Sequence, residues 1–440
     1  MSKILVFSPD RVGKEMAGPG VRYWNFAIQL AKKHDVTLLV KNEDYLSGIG
    51  FKVLQVNEVK LKKKLFFTGF DVIIIQGMAL LEYPILKKIK VPLVIDLYDP
   101  FIFEILAKDS FDHKNEKLYS YQLHVLLEQI EYGDYFICAS EKQKDFWLGM
   151  LAAVVRINPE SFRTDASFRS MIGVVPFGLP EEEPIKTRPA IREDIPEIHT
   201  GDKVVLWWGG LWDWLDPKTL IEAMNIVSQF DSGIKCVIVG TKHPDPNFIA
   251  HEIVNEVQAL SKSYKLTGSS VFFVEWVAFE DRMNYLLDSD IGISLHFNTL
   301  ETRFSFRTRI MDYLWSKLPM IVNDGDILAE IVEKHHLGQV VDQGDYKELA
   351  NKIIDLCNES INLKSFEEVQ RNFYWSEVTK ELERFCDSPK ISSSKNVAAK
   401  SVKVKKPNKA YIYFSKSIQL IGKGDIPHLI RKIKQKINKR

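Results

Sequence analysis

Short runs that are apolar at almost every position recur through the first half of the chain: Ile4–Ser8, Val36–Val40, Val72–Gln76, Leu93–Leu97 and Tyr135–Ala139. Between them lie longer stretches with helical spacing of apolar residues, chiefly Val21–Lys33, Met78–Lys88, His113–Tyr132 and Glu141–Leu151. A run with no polar alternation predicts a strand covered on both faces, and helices between such strands predict a parallel, doubly wound sheet. The same rhythm restarts at Val204–Trp208 and continues through Cys236–Val239, Val271–Val274, Ile291–Leu295, Met320–Val322 and Gln339–Val341. A Pro- and Glu-rich segment, Pro176–Thr200, separates the two sets and reads as a connector. The expected fold class is therefore α/β, two tandem doubly wound, Rossmann-like domains facing a cleft.

In open parallel sheets ligands sit beyond the carboxyl ends of the strands, so the loops that leave strands are the first places to look for chemistry. Four draw attention. Pro9–Arg22 is long and carries Gly18 and Gly20 ahead of a helix; Tyr98-Asp99-Pro100 follows the fourth strand; Gly209-Gly210-Leu211-Trp212-Asp213-Trp214 follows the first strand of the second set. The fourth, residues 294–322, places Arg303, Arg307 and Arg309 around the start of a helix expected over Phe306–Trp315, with Thr308 and Asp312 on it. A helix start offers unpaired N–H groups and partial positive charge, and guanidinium groups add permanent forked donors, so this stretch suits a phosphate ester. A solvated charged helix face is the plainer alternative. Gly18 and Gly20 fit either a tight turn or close approach to a ligand; Trp212 and Trp214 fit either ring stacking or interface packing. Asp99 either touches an acceptor or organises the turn before Pro100, and Glu104 shares the ambiguity.

At 440 residues the chain allows two or three domains. The net charge of +1 conceals an asymmetry: Pro389–Arg440 holds 15 Lys or Arg against the single acid Asp425, leaving 44 bases and 57 acids in the body. Cys138, Cys236, Cys357 and Cys386 are too scattered for a metal motif and read as core thiols of a cytoplasmic protein. His243, Asp245, His335 and His336 form no convincing ligand set, so no metal is expected. No apolar run reaches the length of a membrane span. The tail reads as a flexible linker from Ser388, followed over residues 411–440 by a basic amphipathic segment in which Ile430, Ile433 and Ile437 share a face, a pattern suited to an anionic membrane surface. Nucleic acid is not expected as a partner, because no recognition module accompanies the basic residues.

Three stretches resemble a known family. Ala17-Gly18-Pro19-Gly20-Val21-Arg22-Tyr23-Trp24 is similar to the glycine loop that opens the acceptor domain of family 4 retaining glycosyltransferases, which have the GT-B fold. Cys138-Ala139-Ser140-Glu141-Lys142-Gln143, with Val175-Pro176-Phe177-Gly178, resembles the end of that domain, and Arg307–Pro319 resembles the nucleotide-sugar helix. The resemblance spans residues 3 to 387. It implies an acceptor-binding domain over 1–180, a linker over 181–200, a nucleotide-sugar domain over 201–365, a helix at the junction over 366–387 and a basic tail over 388–440. It further implies sugar transfer from a nucleoside-diphosphate sugar to a saccharide or lipid-linked saccharide, with retention, no cofactor beyond that co-substrate and no metal.

The family pattern of two glutamates is altered here. Asp312 stands where the second binds ribose, Phe304 stands where the first is expected, and Glu301 is the nearest replacement. Gly210 and Leu215 occupy the positions of a diphosphate-binding Arg and Lys. Arg303, Arg307 and Arg309 are therefore expected to supply the missing cations around the diphosphate; the catalytic candidates are Arg307, Arg309, Asp99 and Glu301, with donor contact from Gly209, Gly210, Trp212, Arg303, Thr308 and Asp312 and acceptor or phosphate contact from Gly18, Gly20 and Arg22. The scattered thiols and the basic tail point to a cytoplasmic enzyme held at the inner face of the cell membrane, which suits a lipid-linked acceptor as in cell-surface polysaccharide or glycolipid assembly. A nucleotide-sugar 2-epimerase, a dinucleotide oxidoreductase and a catalytically silent scaffold are the competing functions.

Overall fold

The valine- and isoleucine-rich runs bury both faces of two parallel sheets in a computed structural model that describes residues 1–58, 64–108, 116–242, 252–359 and 362–395. The first sheet contains β1 (Lys3–Phe7), β2 (Asp35–Val40), β3 (Lys52–Gln55), β4 (Val72–Gln76), β5 (Leu93–Asp96), β6 (Tyr135–Cys138) and β7 (Ile172–Val174), in the order β3-β2-β1-β4-β5-β6-β7. The second contains β8 (Lys203–Trp207), β9 (Ile234–Val239), β10 (Val271–Val274), β11 (Ile291–Ser294), β12 (Met320–Asn323) and β13 (Gly338–Val341), in the order β10-β9-β8-β11-β12-β13. Strand order reverses at β1, flanked by β2 and β4, and at β8, flanked by β9 and β11. Those are the two switch points at which an open sheet leaves a crevice.

Several expected elements differ in detail. The segment Met78–Lys88 is an Ala79–Glu82 helix and a separate 3-10 turn, Pro84–Lys88, because Pro84 lacks the N–H that would continue the helix. The described part of the third expected helix starts at Glu116. The helix expected from Phe306 begins at Thr308; Leu300–Phe304 forms its own short helix capped by Thr299, and Arg307 is the extended N-cap between them. Strands β3 and β7 escaped the pattern: the first is half-covered on an edge and the second has only three residues.

Three helices, Leu363–Phe373, Trp375–Val378 and Lys380–Asp387, carry the chain from the second domain back to the first. Leu179 N–H donates to the Phe373 carbonyl (2.7 Å) and Trp375 N–H to the Leu179 carbonyl (3.0 Å). The stretch from Ser388, expected to be a flexible linker, is instead pinned to the first domain as far as Lys395. Buried Arg156 donates to Ser394 Oγ (2.8 Å) and Ser392 Oγ (3.2 Å), and Asp134 accepts from Ser392 N–H (2.9 Å) and Lys395 Nζ (2.8 Å). A buried guanidinium needs acceptors, and these hydroxyls supply them. Residues 411–440, expected from the sequence to meet a membrane surface, lie with His243 and Asp245 outside the described residues. No described helix is long and apolar enough to cross a membrane, and the cysteines are free thiols, Cys357 alone being partly exposed.

The Trp375 ring, 2% exposed, stands edge-on to Phe177 (5.1 Å) and Phe26 (6.3 Å). Trp375→Ala should lower stability by about 3–5 kcal/mol, read as a shifted midpoint in denaturant; an unchanged midpoint would show that the returning helices do not brace the first domain.

Candidate functional site

Both switch points open into one cavity of about 310 Å³ between the domains. Met16, Ala17 and Gly18 reach it from the loop after β1, and Trp208, Gly209, Gly210 and Trp212 from the loop after β8. Val239 and Gly240 close the end of β9; Trp276, Val277, Phe279 and Arg282 follow β10. Thr308, Arg309 and Asp312 come from the Thr308–Trp315 helix. Glycine is needed where backbones crowd. Gly240 has φ +93, and a Cβ there would lie 2.6 Å from the Gly209 carbonyl carbon. A Cβ on Gly20 would lie 2.1 Å from the Arg11 carbonyl oxygen, so this glycine serves the fold, whereas Gly18 borders the cavity and a Cβ there would press on Thr308 Cγ2 at 3.3 Å.

Arg309 is 7% exposed, lies over the Trp207 ring (4.5 Å) and donates to the Gly210 carbonyl (2.8 Å), but its second terminal nitrogen, Nη1, has no partner. Burial pulls its pKa down to about 10, so it remains a cation at neutral pH. Asp312 accepts from Trp208 Nε1 (2.9 Å); burial raises its pKa, opposed by Arg282, which stacks over Phe279 (3.7 Å) and Trp315 (4.7 Å). Trp212 lies parallel to Trp214, ring centroids 5.6 Å apart. The cavity thus combines aromatic walls, two guanidinium groups, one carboxylate and a helix start, the set that a nucleoside diphosphate needs.

Arg307 points elsewhere. It is 9% exposed and donates to Glu301 Oε2 at 2.6 Å. Glu301, itself 1% exposed, joins Asp99 and Glu104 in a trio whose carboxylate oxygens lie within 4.8 Å of one another. Burial and then the Glu301 charge push Asp99 up to about 6, and burial with the Asp99 charge pushes Glu104 well above its ordinary range. Burial opposes the charge on Arg307, yet Glu301 outweighs it and the Arg307 pKa is raised. Beside it His296 is buried with neither ring nitrogen hydrogen-bonded; burial and then Arg307 lower its pKa to about 3, so it is neutral. Asp326, which caps the Ile327–Lys334 helix, is raised by burial to about 6.

The three arginines of the sequence stretch therefore diverge: Arg309 faces the cavity, Arg307 faces carboxylates and Arg303 is exposed over its neighbour Phe304 (5.9 Å). Phe304 itself seals the domain junction, stacked on Phe103 (5.8 Å) and against Phe146 (5.2 Å). Arg22, expected in the glycine loop's anion contact, is 1% exposed and committed to Asp96 (2.8 and 3.1 Å) and to the carbonyls of Val175 (2.8 Å) and Pro176 (2.9 Å). Gly209, Gly210, Trp212, Thr308 and Asp312 share the cavity as expected from the strand-end rule. Trp276, Val277 and Arg282 were missed, although the loop after Val271–Val274 obeys the same rule and its aromatic–basic content was the available signal.

The architecture is that of known sugar-transfer enzymes. The fold is GT-B. It matches sucrose-phosphate synthase of Thermosynechococcus elongatus (TM-score 0.60, 15% identity, 88% of this chain and 98% of that one). It also matches Anabaena Alr3699/HepE in complex with UDP-glucose (TM-score 0.61, 17% identity, 88% and 100%) and WaaG, a glycosyltransferase of lipopolysaccharide biosynthesis (TM-score 0.54, 12% identity, 90% and 98%). Residues 202–359 match a family model described as glycosyl transferases group 1, so the second GT-B domain is a glycosyltransferase domain. Comparison with curated protein sequences finds no match.

Two outcomes test this geometry. Arg22→Met leaves Asp96 buried without its cation and should cost about 3–5 kcal/mol, measured by equilibrium denaturation; a loss below about 1 kcal/mol would show the pair to be dispensable. The raised Asp99 pKa means that the fold favours the protonated acid. That stabilisation is complete below the ordinary aspartate value near pH 4 and is lost as pH rises through about 6. Asp99→Asn should therefore reduce the fall in melting temperature between about pH 5 and about pH 7.5; an unaltered fall would remove Asp99 as its source.

Proposed function

We propose that the chain transfers a sugar from a nucleoside-diphosphate sugar to a saccharide hydroxyl, with retention of configuration and without a metal. The observation that carries this reading is the buried Arg309 Nη1, unpartnered at a helix start on the wall of an aromatic cavity at both switch points. The base lies among Trp276, Val277 and the rings near it, Asp312 accepts from ribose hydroxyls, and the diphosphate lies between Gly18 and the Thr308–Arg309 start. Support comes from the group 1 glycosyltransferase match over residues 202–359 and from UDP-glucose bound to HepE, a protein of the same fold.

The difficult event is departure of the diphosphate, which gathers negative charge as the sugar carbon becomes cationic. A fixed guanidinium and backbone amides stabilise that charge without reorganising during the step. Arg309, with Arg282 nearby, takes over the cationic role that Gly210 and Leu215 cannot fill. Arg307 holds Glu301 beside Asp99 and Glu104, where the acceptor enters. The acceptor belongs to cell-surface polysaccharide or glycolipid assembly, as the lipopolysaccharide role of WaaG supports, and residues 411–440 hold the cytoplasmic enzyme at the anionic inner face of the membrane.

A thermal-shift series with UDP-, GDP- and dTDP-sugars should single out one nucleotide. With that donor, Arg309→Ala should lower the transfer rate by about 10²–10³-fold. Wild-type rates in this variant, or no stabilisation by any nucleoside diphosphate, would overturn the assignment; release of free nucleoside diphosphate with no glycosylated product would point to an epimerase.

A further inference from the structure

The cleft is divided by charge. Arg309, Arg282 and the start of the Thr308–Trp315 helix make the cavity side positive. The neighbouring cluster at the ends of β5 and β11 sets three carboxylates, Asp99, Glu104 and Glu301, against one cation among the described residues, Arg307. The two regions are adjacent, since Arg307 lies in the cluster while Thr308 and Arg309 line the cavity, and the Tyr98 hydroxyl, next to Asp99, donates to the Phe306 carbonyl (3.0 Å).

The cluster has the marks of a recognition site and not only of a structural ion pair. Glu301, 1% exposed, leaves Oε1 without a partner; Arg307, 9% exposed, leaves Nε without one; Asp99 Oδ1 is unpartnered as well. Buried polar atoms rarely remain unsatisfied, and acceptors interleaved with a donor are what a polyol's hydroxyls complement. Asp99 and Glu104 are only half-buried, so part of the cluster meets solvent, whereas Glu301 is buried.

We propose that Asp99, Glu104, Glu301 and Arg307 form the acceptor subsite, and that their charge balance selects an uncharged sugar and excludes a phosphorylated one. The inference rests on the glycosyltransferase reading above and narrows it. A phosphate monoester would bring two further negative charges among carboxyls that already resist ionisation: Asp99 is raised to about 6 by burial and by Glu301, and Glu104 is raised well above its ordinary range by burial, by the charge and hydrogen bond of Asp99, and then by Glu301. Among the described residues the remaining charged neighbours do not reverse this balance, because His296 is neutral and Asp326 adds a carboxyl. A neutral hydroxyl meets only hydrogen-bond partners, and the unpaired oxygens orient it toward the donor sugar.

The test uses the full chain in EDTA-treated buffer, saturated with whichever of UDP, GDP or dTDP it binds. Calorimetric titrations compare methyl α-glucoside, methyl α-mannoside and methyl α-galactoside with glucose 6-phosphate, mannose 6-phosphate and galactose 6-phosphate. At least one neutral glycoside should bind about tenfold or more tightly than its phosphate counterpart, and Asp99→Asn/Glu104→Gln should lose about tenfold for that glycoside together with the preference. Nucleotide affinity should be the same in both proteins, which also reports that the variant is folded. The proposal is overturned by equal or tighter binding of a hexose phosphate, by no glycoside binding, by an unaltered preference in the variant, or by Mg²⁺ or Ca²⁺ binding that the double substitution abolishes. Absence of nucleotide binding would instead remove the glycosyltransferase reading, so the two failures are distinguishable.

Discussion

A guanidinium taken out of water must find acceptors, and the penalty for leaving it unmatched exceeds what one hydrogen bond returns. Among the described residues four arginines are buried, Arg22, Arg156, Arg307 and Arg309, and their partners organise the molecule. Arg22 ties the first helix to Asp96 and to the exit of the first domain through Val175 and Pro176. Arg156 gathers the carbonyls of Ile130 and Gly133 with two serines of the returning C-terminal segment. Arg307 compensates one of three carboxylates at the junction. Arg309 faces the cavity with its terminal Nη1 unmatched and Arg307 leaves Nε unmatched among the carboxylates, whereas Arg22 and Arg156 are committed to protein acceptors, and that difference separates residues that hold the fold from those available to a ligand.

The junction is held by contacts of two kinds. Phe103, Phe146 and Phe304 interlock across it, and Gln143 donates to the Phe304 carbonyl (2.6 Å), with Lys142 and Glu330 paired at the rim (2.6 Å). Phe279 N–H donates to the Lys14 carbonyl (2.8 Å) on the opposite border of the cavity. These fix the spacing of the two switch-point loops, so that Gly18 comes within contact of Thr308. A glycine there keeps the passage open, because any side chain would occupy the space next to the helix start. The cleft is thus both the domain interface and the candidate site, and water exclusion follows from the packing that joins the domains.

The layered fold could be read from the chain because strands buried on both faces are apolar throughout, a signal that survives without knowledge of neighbours. Strands β3 and β7 escaped that reading for physical reasons: an edge strand is only half-covered, and three residues are too few to establish a period. Gly209, Gly210, Trp212, Thr308 and Asp312, all near strand ends in the sequence, line one cavity, and Trp276 and Arg282 join them from the loop after β10. The sequence did not reveal that Arg22 belongs to Asp96, since that partner is 74 residues away.

What the chain determined by itself was periodicity, breaks and chemical inventory: two α/β domains, glycines at strand ends, and a dense run of arginines with Asp312 nearby. What only the tertiary structure decided was direction. Arg303, Arg307 and Arg309 are spaced closely enough to suggest one cluster, but a capped five-residue helix, an extended N-cap and a new helix turn them toward solvent, toward carboxylates and toward the cavity. Side-chain direction depends on backbone dihedrals at Ser305 and Arg307, and those are set by Phe304 and Phe306 packing against the other domain, a constraint that local sequence does not contain.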